Sequence, residues 1–424
     1  MLRKMRTIGY VGLLIMAIML PNGWAQQTAG ESPTPIPPPT GLELTPQQFV
    51  QALVTAVQNN DAQQVQQLVT NNPSTAGQVY QALPKAGQGE GKTANASRTL
   101  ASFLEQFPIV KTLAQAEQLN QQVLELYPQG KYAEAIPLAE QALAIYEKAL
   151  GPEHPDTAGG LNNLALLYDE MGDYVKAEPL YQRALAIAEK VLGPEHPNIA
   201  TSLNNLAMLY KTMGDYARAV PIYERALAIR EKVLGPEHPN TAASFNNLAV
   251  SYAEMGDYAK AEPLYQQALA IREKVLGPEH PDTAISLNAL ATLYYAMGNY
   301  ARAELLCQRA LAIQEKVLGF DHPNTATSLN TLAVLYMTMG DYAQAAPLYQ
   351  RALAIAEKVL GSGHPQTAGS LNNLAELYRA MGDYTNAEPL HQRALAIREK
   401  TLGSEHPDTG NSLNKLAELY RAMG

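Results

Sequence analysis

A stretch of two dozen residues, GPEHPDTAGGLNNLALLYDEMGDY from Gly151 to Tyr174, returns in edited form from Gly193, Gly235, Gly277, Gly319, Gly361 and Gly403. The step is 42 residues each time. A fixed period of roughly 20–50 residues marks an array of one supersecondary unit, because a single unit cannot bury its apolar face and must stack on its neighbours. The unit reads as two helices. The first, Asp156–Met171, follows Pro155 at a helix start and stops at Gly172. The second, Tyr174–Leu192, ends at Gly193, a C-cap residue. Pro179 falls in the first turn or two of that second helix, where proline is tolerated.

Packing within the unit follows from residue size. Leu161, Leu164, Ala165 and Tyr168 form a stripe on the first helix, answered by Ala177, Tyr181, Ala184, Leu185 and Ile187 at helical spacing on the second. The alanines let the helices approach closely, and the leucines and tyrosines fill the space between. Composition agrees: 46% of residues are hydrophobic, with 5 Phe and 1 Trp against 23 Tyr. That is a helix-forming palette with thin cores. The net charge of −9 comes from charges that alternate in sign, which gives no basic footprint for nucleic acid. The single cysteine, Cys307, excludes an internal disulfide framework.

Residues 1–25 read as a secretory signal. Arg3, Lys4 and Arg6 form a positive start, Ile8–Leu20 is an apolar run too short for an ordinary membrane span, and Pro21 breaks it. Gly23 and Ala25 are the small residues of a cleavage site after Ala25. The expectation is an exported protein, periplasmic or extracellular, with no membrane span in the mature chain. The rival is an uncleaved N-terminal anchor, and no cysteine near the cut favours a lipoprotein. Residues 26–41 carry a proline-rich, extended linker. Residues 42–110 are expected to form a small helical region. It starts at Thr45 and Pro46, continues through two shorter helices over AQQVQQLVTNNP and TAGQVYQALP, a loop over KAGQGEGKTANAS, and a helix over RTLASFLEQFP.

The array occupies residues 113–424: seven repeats beginning near 113, 155, 197, 239, 281, 323 and 365, then a half repeat from 407 to Gly424. Leu161, Leu164, Ala165, Tyr168, Gly172-Asp173-Tyr174, Ala177, Tyr181 and Ala184 match the pattern of the tetratricopeptide repeat, which this chain resembles over about three quarters of its length. The 42-residue length and the GPEHP connector resemble the kinesin-light-chain subtype. The first repeat departs most, since LNQQVLELYPQGKY has no His-Pro start. Cys307 and His391 stand at the position of Tyr181 and are expected to loosen packing locally. The resemblance implies an all-α, right-handed superhelical solenoid whose first helices line a concave groove for an extended peptide or a protein surface.

That groove gives candidate binding residues. In similar proteins an asparagine ladder on the groove face holds a ligand backbone. The matching first rung here is Asn162, Asn204, Asn246, Asn288, Asn330, Asn372 and Asn414. The second is Asn163, Asn205, Asn247 and Asn373, broken by Ala289, Thr331 and Lys415. Asparagine supplies a donor and an acceptor, so it pairs with any peptide unit. It is a poor mid-helix residue, so its repeated use asks for a reason. The alternative is that these side chains bond between repeats and fix their stacking. Specificity is expected from groove positions that vary: Leu166, Met208, Val250, Thr292, Val334, Glu376 and Glu418, and beside them Asp169, Lys211, Ala253, Tyr295, Met337, Arg379 and Arg421. They suggest a partner segment that is apolar near Val250–Met337 and acidic near Arg379 and Arg421; the rival reading is tolerated variation of a duplicated repeat.

Nothing in the sequence calls for a cofactor. Seven histidines, His154, His196, His238, His280, His322, His364 and His406, share one spacing. Equivalent positions on stacked helices sit roughly 10 Å or more apart, and a zinc ion needs its ligands near ~2 Å. They read as connector residues before a helix-starting proline. Cys307 has no motif around it, and no phosphate-binding glycine loop or paired catalytic carboxylates stand out. The expectation is a non-catalytic scaffold that binds a protein or peptide. Similar chains also resemble the sensing half of larger proteins in which the array precedes a caspase-like CHAT protease domain. A further expectation is self-association through the terminal half repeat.

Overall fold

The computed structural model describes residues 44–59, 61–86, 98 and 100–423. The signal and linker expected over 1–41, and most of the loop expected over 85–97, lie outside the described residues.

All regular structure among the described residues is helical. Helices α1 (Pro46–Gln58), α2 (Ala62–Asn71) and α3 (Pro73–Ala86) come first. Thr45 and Gln48 form a reciprocal capping box: the Gln48 amide donates to Thr45 Oγ1 at 3.3 Å, and the Thr45 amide to Gln48 Oε1 at 3.0 Å. Asp61 caps α2 by accepting from the Gln64 amide. Phe49, Leu53, Val69, Val79 and Leu104 share one apolar core. Helix α4 (Pro108–Leu126) crosses the expected boundary between this region and the array without a break. Its Val110 belongs to the N-terminal core, while Leu113 packs with Ala142 and Tyr146 of the first repeat. Gly77 allows this docking, since a Cβ there would sit 3.1 Å from the Ala114 backbone nitrogen.

From α4 the chain alternates first and second helices. They are α5 (Tyr132–Leu150), α6 (Pro155–Glu170), α7 (Tyr174–Leu192), α8 (Pro197–Thr212), α9 (Tyr216–Leu234), α10 (Pro239–Glu254), α11 (Tyr258–Val275), α12 (Pro281–Ala296), α13 (Tyr300–Val317), α14 (Pro323–Thr338), α15 (Tyr342–Val359), α16 (Pro365–Ala380), α17 (Tyr384–Thr401) and α18 (Pro407–Met423). The helix bounds in the second repeat fall within a residue of those expected from sequence.

The connector residues explain why the pattern is so regular. Each of the seven histidines is an N-cap whose Nδ1 accepts the amide two residues on, at 3.2 Å in His154 and 3.0 Å in His406. In six of the seven connectors a threonine hydroxyl then donates to the carbonyl of the preceding glycine, as Thr283 does to Gly277 at 2.9 Å; the connector into the third repeat has Ile199 instead. The aspartate of Gly-Asp-Tyr caps the second helix, Asp215 accepting from the Arg218 amide at 3.1 Å. Cation pairs across the connectors, such as Lys190 with Glu153, are exposed and contribute little.

First helices of neighbouring repeats touch each other directly, from α6·α8 through to α16·α18, whereas second helices contact mainly first helices. The first helices therefore form the inner wall and the second helices the outer one. Six repeats bring the chain round to meet itself. The Pro365 ring lies over Gly130 and the Pro407 ring over Gly172, the same pair of positions in each case. His406 Nε2 meets the Glu170 carbonyl at 3.2 Å, and Leu402 is buried in the cluster of Val123, Tyr132 and Leu161. Burial at this contact holds the His364 and His406 imidazoles below the usual histidine range.

Candidate partner-binding groove

The inner wall divides the candidate asparagines between two roles. Asn162, Asn246, Asn288 and Asn372 are buried between repeats. Asn246 donates to Ser286 Oγ at 3.2 Å, Asn288 to Ser328 Oγ at 2.6 Å and Asn372 to Ser412 Oγ at 2.9 Å, each serine lying on the next first helix. The same serines receive the residue before Glu-Lys on the second helix: Arg272 reaches Ser286 at 2.8 Å and Arg398 reaches Ser412 at 2.8 Å. Gln314 takes that position at Ser328, accepting from its hydroxyl at 2.5 Å. These three-residue clusters fix the stacking, which is the bridging role anticipated for the rung.

The second rung is placed differently. Asn163, Asn247 and Asn373 are half-buried on the inner wall, and so is Asn330 from the first rung. In the third repeat the roles exchange: Asn205 is fully buried and donates to Asn162 Oδ1 at 3.1 Å, while half-buried Asn204 accepts from Asn247 at 2.5 Å. Asn414, on the last helix, is exposed. Successive helix residues differ by about 100° in direction, so one asparagine of a pair enters the stacking interface and the other looks inward.

The variable positions show a similar division. Val250, Ala253, Tyr295, Val334 and Met337 are half-buried along the middle of the wall, and Thr292 is exposed. Tyr295 OH lies 3.0 Å from Thr338 Oγ1. Leu166 and Met208, expected in the groove, are instead buried, Leu166 in the core it shares with Tyr181 and Leu206. Arg379 turns onto its own helix and pairs with Glu376 at 2.8 Å. Glu376 is held down to about 2: against the cost of its burial, His391, Arg379 and Lys415 all favour its charge. Arg421 is exposed and has no ion pair among the described residues.

His391 does not loosen its repeat. It is fully buried, with Nδ1 at 2.8 Å from Asn372 Oδ1 and Nε2 at 3.3 Å from Glu376 Oε1, so a polar bridge occupies the place of the tyrosine. Cys307 is buried as well, and burial pushes its thiol up to about 12, leaving almost no thiolate at neutral pH.

A second polar cluster joins the N-terminal region to the array. Ser74 donates to the buried Asp156 carboxylate. Burial pushes Asp156 up to about 6, and burial together with the Asp156 charge pushes Glu117 up to about 6. The folded value of Asp156 lies above its unfolded one, so the ionised group destabilises the fold above that range and has no effect once both states are protonated. Asp156→Asn keeps an acceptor for Ser74. Its melting temperature is expected to exceed that of the unmodified chain at pH 8, by about 1–2 kcal/mol in stability, and to match it near pH 4. Thermal melts across that range check this.

This geometry defines a class: a solenoid of helical hairpins with a continuous inner wall of first helices, suited to holding another chain. The tetratricopeptide-repeat family model matches in seven overlapping segments from 126–190 to 366–424, so the chain belongs to the tetratricopeptide-repeat family. Its repeats are of the kinesin-light-chain type. A solved structure of kinesin-light-chain-type repeats from Podosopora anserina is 36% identical, covering 49% of this chain and 97% of that one at a TM-score of 0.40. BtubC (BKLC) from P. vanneervenii is 25% identical over 55% of this chain and 91% of its own, at 0.42. Aspartyl phosphate phosphatase F from Bacillus subtilis shares the fold alone, with 11% identity, 84% and 85% coverage and a TM-score of 0.55. No curated protein matches the chain significantly.

Proposed function

We propose that the chain is a non-catalytic scaffold that holds an extended segment of a partner protein along its inner wall. The observation that carries this reading is the row of half-buried inward side chains in mid-array, Asn247, Val250, Tyr295, Asn330, Val334 and Met337. The asparagines supply hydrogen bonds to any peptide backbone, and the Val250–Met337 stretch accepts apolar side chains. An acidic stretch of the partner would meet Arg421, since Arg379 is committed to Glu376. The first 25 residues would direct export. A second copy would stack on the last helix at Leu413, Tyr420 and Met423, which are exposed.

The combined substitution Tyr295→Ser and Met337→Ser is expected to weaken the partner about tenfold or more. Val175→Ser with Leu305→Ser, on exposed positions of second helices, is expected to leave it unchanged. Titration of each variant with the partner retained by the unmodified chain checks this; equal losses on both walls would refute the reading.

A further inference from the structure

Where the last repeats close over the first, they leave an open-mouthed pocket of about 510 Å³ against the inner wall. Asp169 and Glu170 of α6, Asn330 of α14, Asn373 of α16 and Arg398 of α17 line it. Their bonding is unequal. Glu170 accepts from the Tyr127 hydroxyl at 2.7 Å. Arg398 gives Nη1 to the Asp408 carbonyl at 2.9 Å and to Ser412, with the Asp408 carboxylate 3.5 Å from Nη2, while its buried Nε has no hydrogen-bond partner among the described residues. Asp169 is buried to nine-tenths, and its carboxylate has neither a hydrogen bond nor an ion pair among the described residues. The buried Asn330 Oδ1 also has no partner.

Two acceptors without donors, one of them ionisable, line one pocket. The carboxylates there, Asp169, Glu170 and Asp408, outnumber the single guanidinium of Arg398. The groups missing from such a space are donors with positive charge. An unmet buried carboxylate is costly, and an arriving cation removes that cost.

We infer that the pocket is a subsite for a basic side chain, arginine or lysine, of the segment held along the inner wall, with Asp169 as its counter-ion and Asn330 Oδ1 as a second acceptor. This rests on the proposed function, because the side chain arrives on a bound segment. The volume is in the range that buries a small ligand group together with neighbouring backbone. Burial, with the adjacent Glu170 charge, also pushes Asp169 up to about 7. A bound guanidinium would favour the ionised form, so at neutral pH binding would expel a proton from Asp169.

The test uses two heptapeptides, acetyl-Ala-Ala-Ala-Arg-Ala-Ala-Ala-amide and its twin with neutral citrulline in place of arginine. They are titrated calorimetrically into the full chain and into Asp169→Asn at pH 7. The unmodified chain is expected to bind the arginine peptide about tenfold or more tightly than the citrulline one, the ratio that one ion pair of about 1.4 kcal/mol provides. Heats in two buffers of different ionisation enthalpy are expected to show proton release with the arginine peptide only. Asp169→Asn, which removes an unpaired buried charge and keeps the shape, is expected to fold, to bind both peptides alike and to release no proton. Equal affinity of the unmodified chain for both peptides would overturn the basic subsite and leave the groove reading standing. Binding of neither at millimolar concentration would overturn both. Discrimination that persists in Asp169→Asn would overturn the assignment of Asp169.

Discussion

Replacing Gly130 and Gly172 together with alanine is expected to open the closed turn. Both glycines hold left-handed backbone, with φ of 68° and 72°. Alanine there costs about 1–2 kcal/mol at each position before any contact is considered. The new methyl groups then have nowhere to go: a Cβ at Gly130 would lie 2.6 Å from Pro365 Cδ, and one at Gly172 would lie 2.9 Å from Pro407 Cδ. Neither ring can swing aside, because each is the first residue of a helix and its φ is fixed. The turn is expected to open by separation of α16 and α18 from the first two repeats, exposing Leu402. Gly214→Ala with Gly256→Ala is the matched comparison, since those glycines have φ of 76° and 80° and no atom within 4 Å of an added Cβ. Small-angle scattering is expected to give a larger radius of gyration for the first pair only. A rise of equal size in both would mean that backbone strain, not the contact, was responsible.

Tyr265→Ala is expected to divide the array. Tyr265 is buried in α11, in a core with Ala249, Leu290 and Ala291, where the middle repeats meet. Removing a buried ring costs about 3–5 kcal/mol. In a solenoid that loss falls on one repeat and its two interfaces, because a repeat away from the closing contact touches only its neighbours. The middle is then expected to open before either end, and a single thermal transition should become two. Hydrogen exchange would place the early opening in α10 and α11. A single transition, merely lowered, would mean that the closing contact couples the two ends strongly enough to keep the array one unit.

The helix pairs were legible because their signals are local. His-Pro starts a first helix, Gly-Asp-Tyr starts a second, and each signal acts within a few residues of itself. The capping box of Thr45 and Gln48 was legible for the same reason. The closure was not, since it accumulates from small rotations over six repeats and no short pattern encodes it. Its traces were present only as ordinary repeat residues: Gly130 and Gly172, Pro365 and Pro407. The asparagines were half legible. Their helix face could be read, but not that Asn246 meets a serine 40 residues further on. A correlated signal did exist, in the Arg272, Gln314 and Arg398 that serve the same serines. Leu166 was misplaced because the next repeat covers it, in the core with Tyr181 and Leu206, and Met208 because it lies where the last repeats approach the wall. His391 was misjudged because its bridge to Glu376 and Asn372 depends on a glutamate where the earlier repeats carry an apolar residue or threonine. Asp169 could be placed on the wall, but its lack of a partner belongs to three dimensions.

The most direct test of the account is where a partner touches the chain. A photo-activated benzophenone side chain would replace Tyr295 or Asn373 on the inner wall, or Val175 or Leu305 on the outer one, in cells of the source organism. The account predicts the same protein joined at both inner positions, through residues of one short segment, and at neither outer position. Joining at the outer positions alone, or equally on both walls, would contradict it.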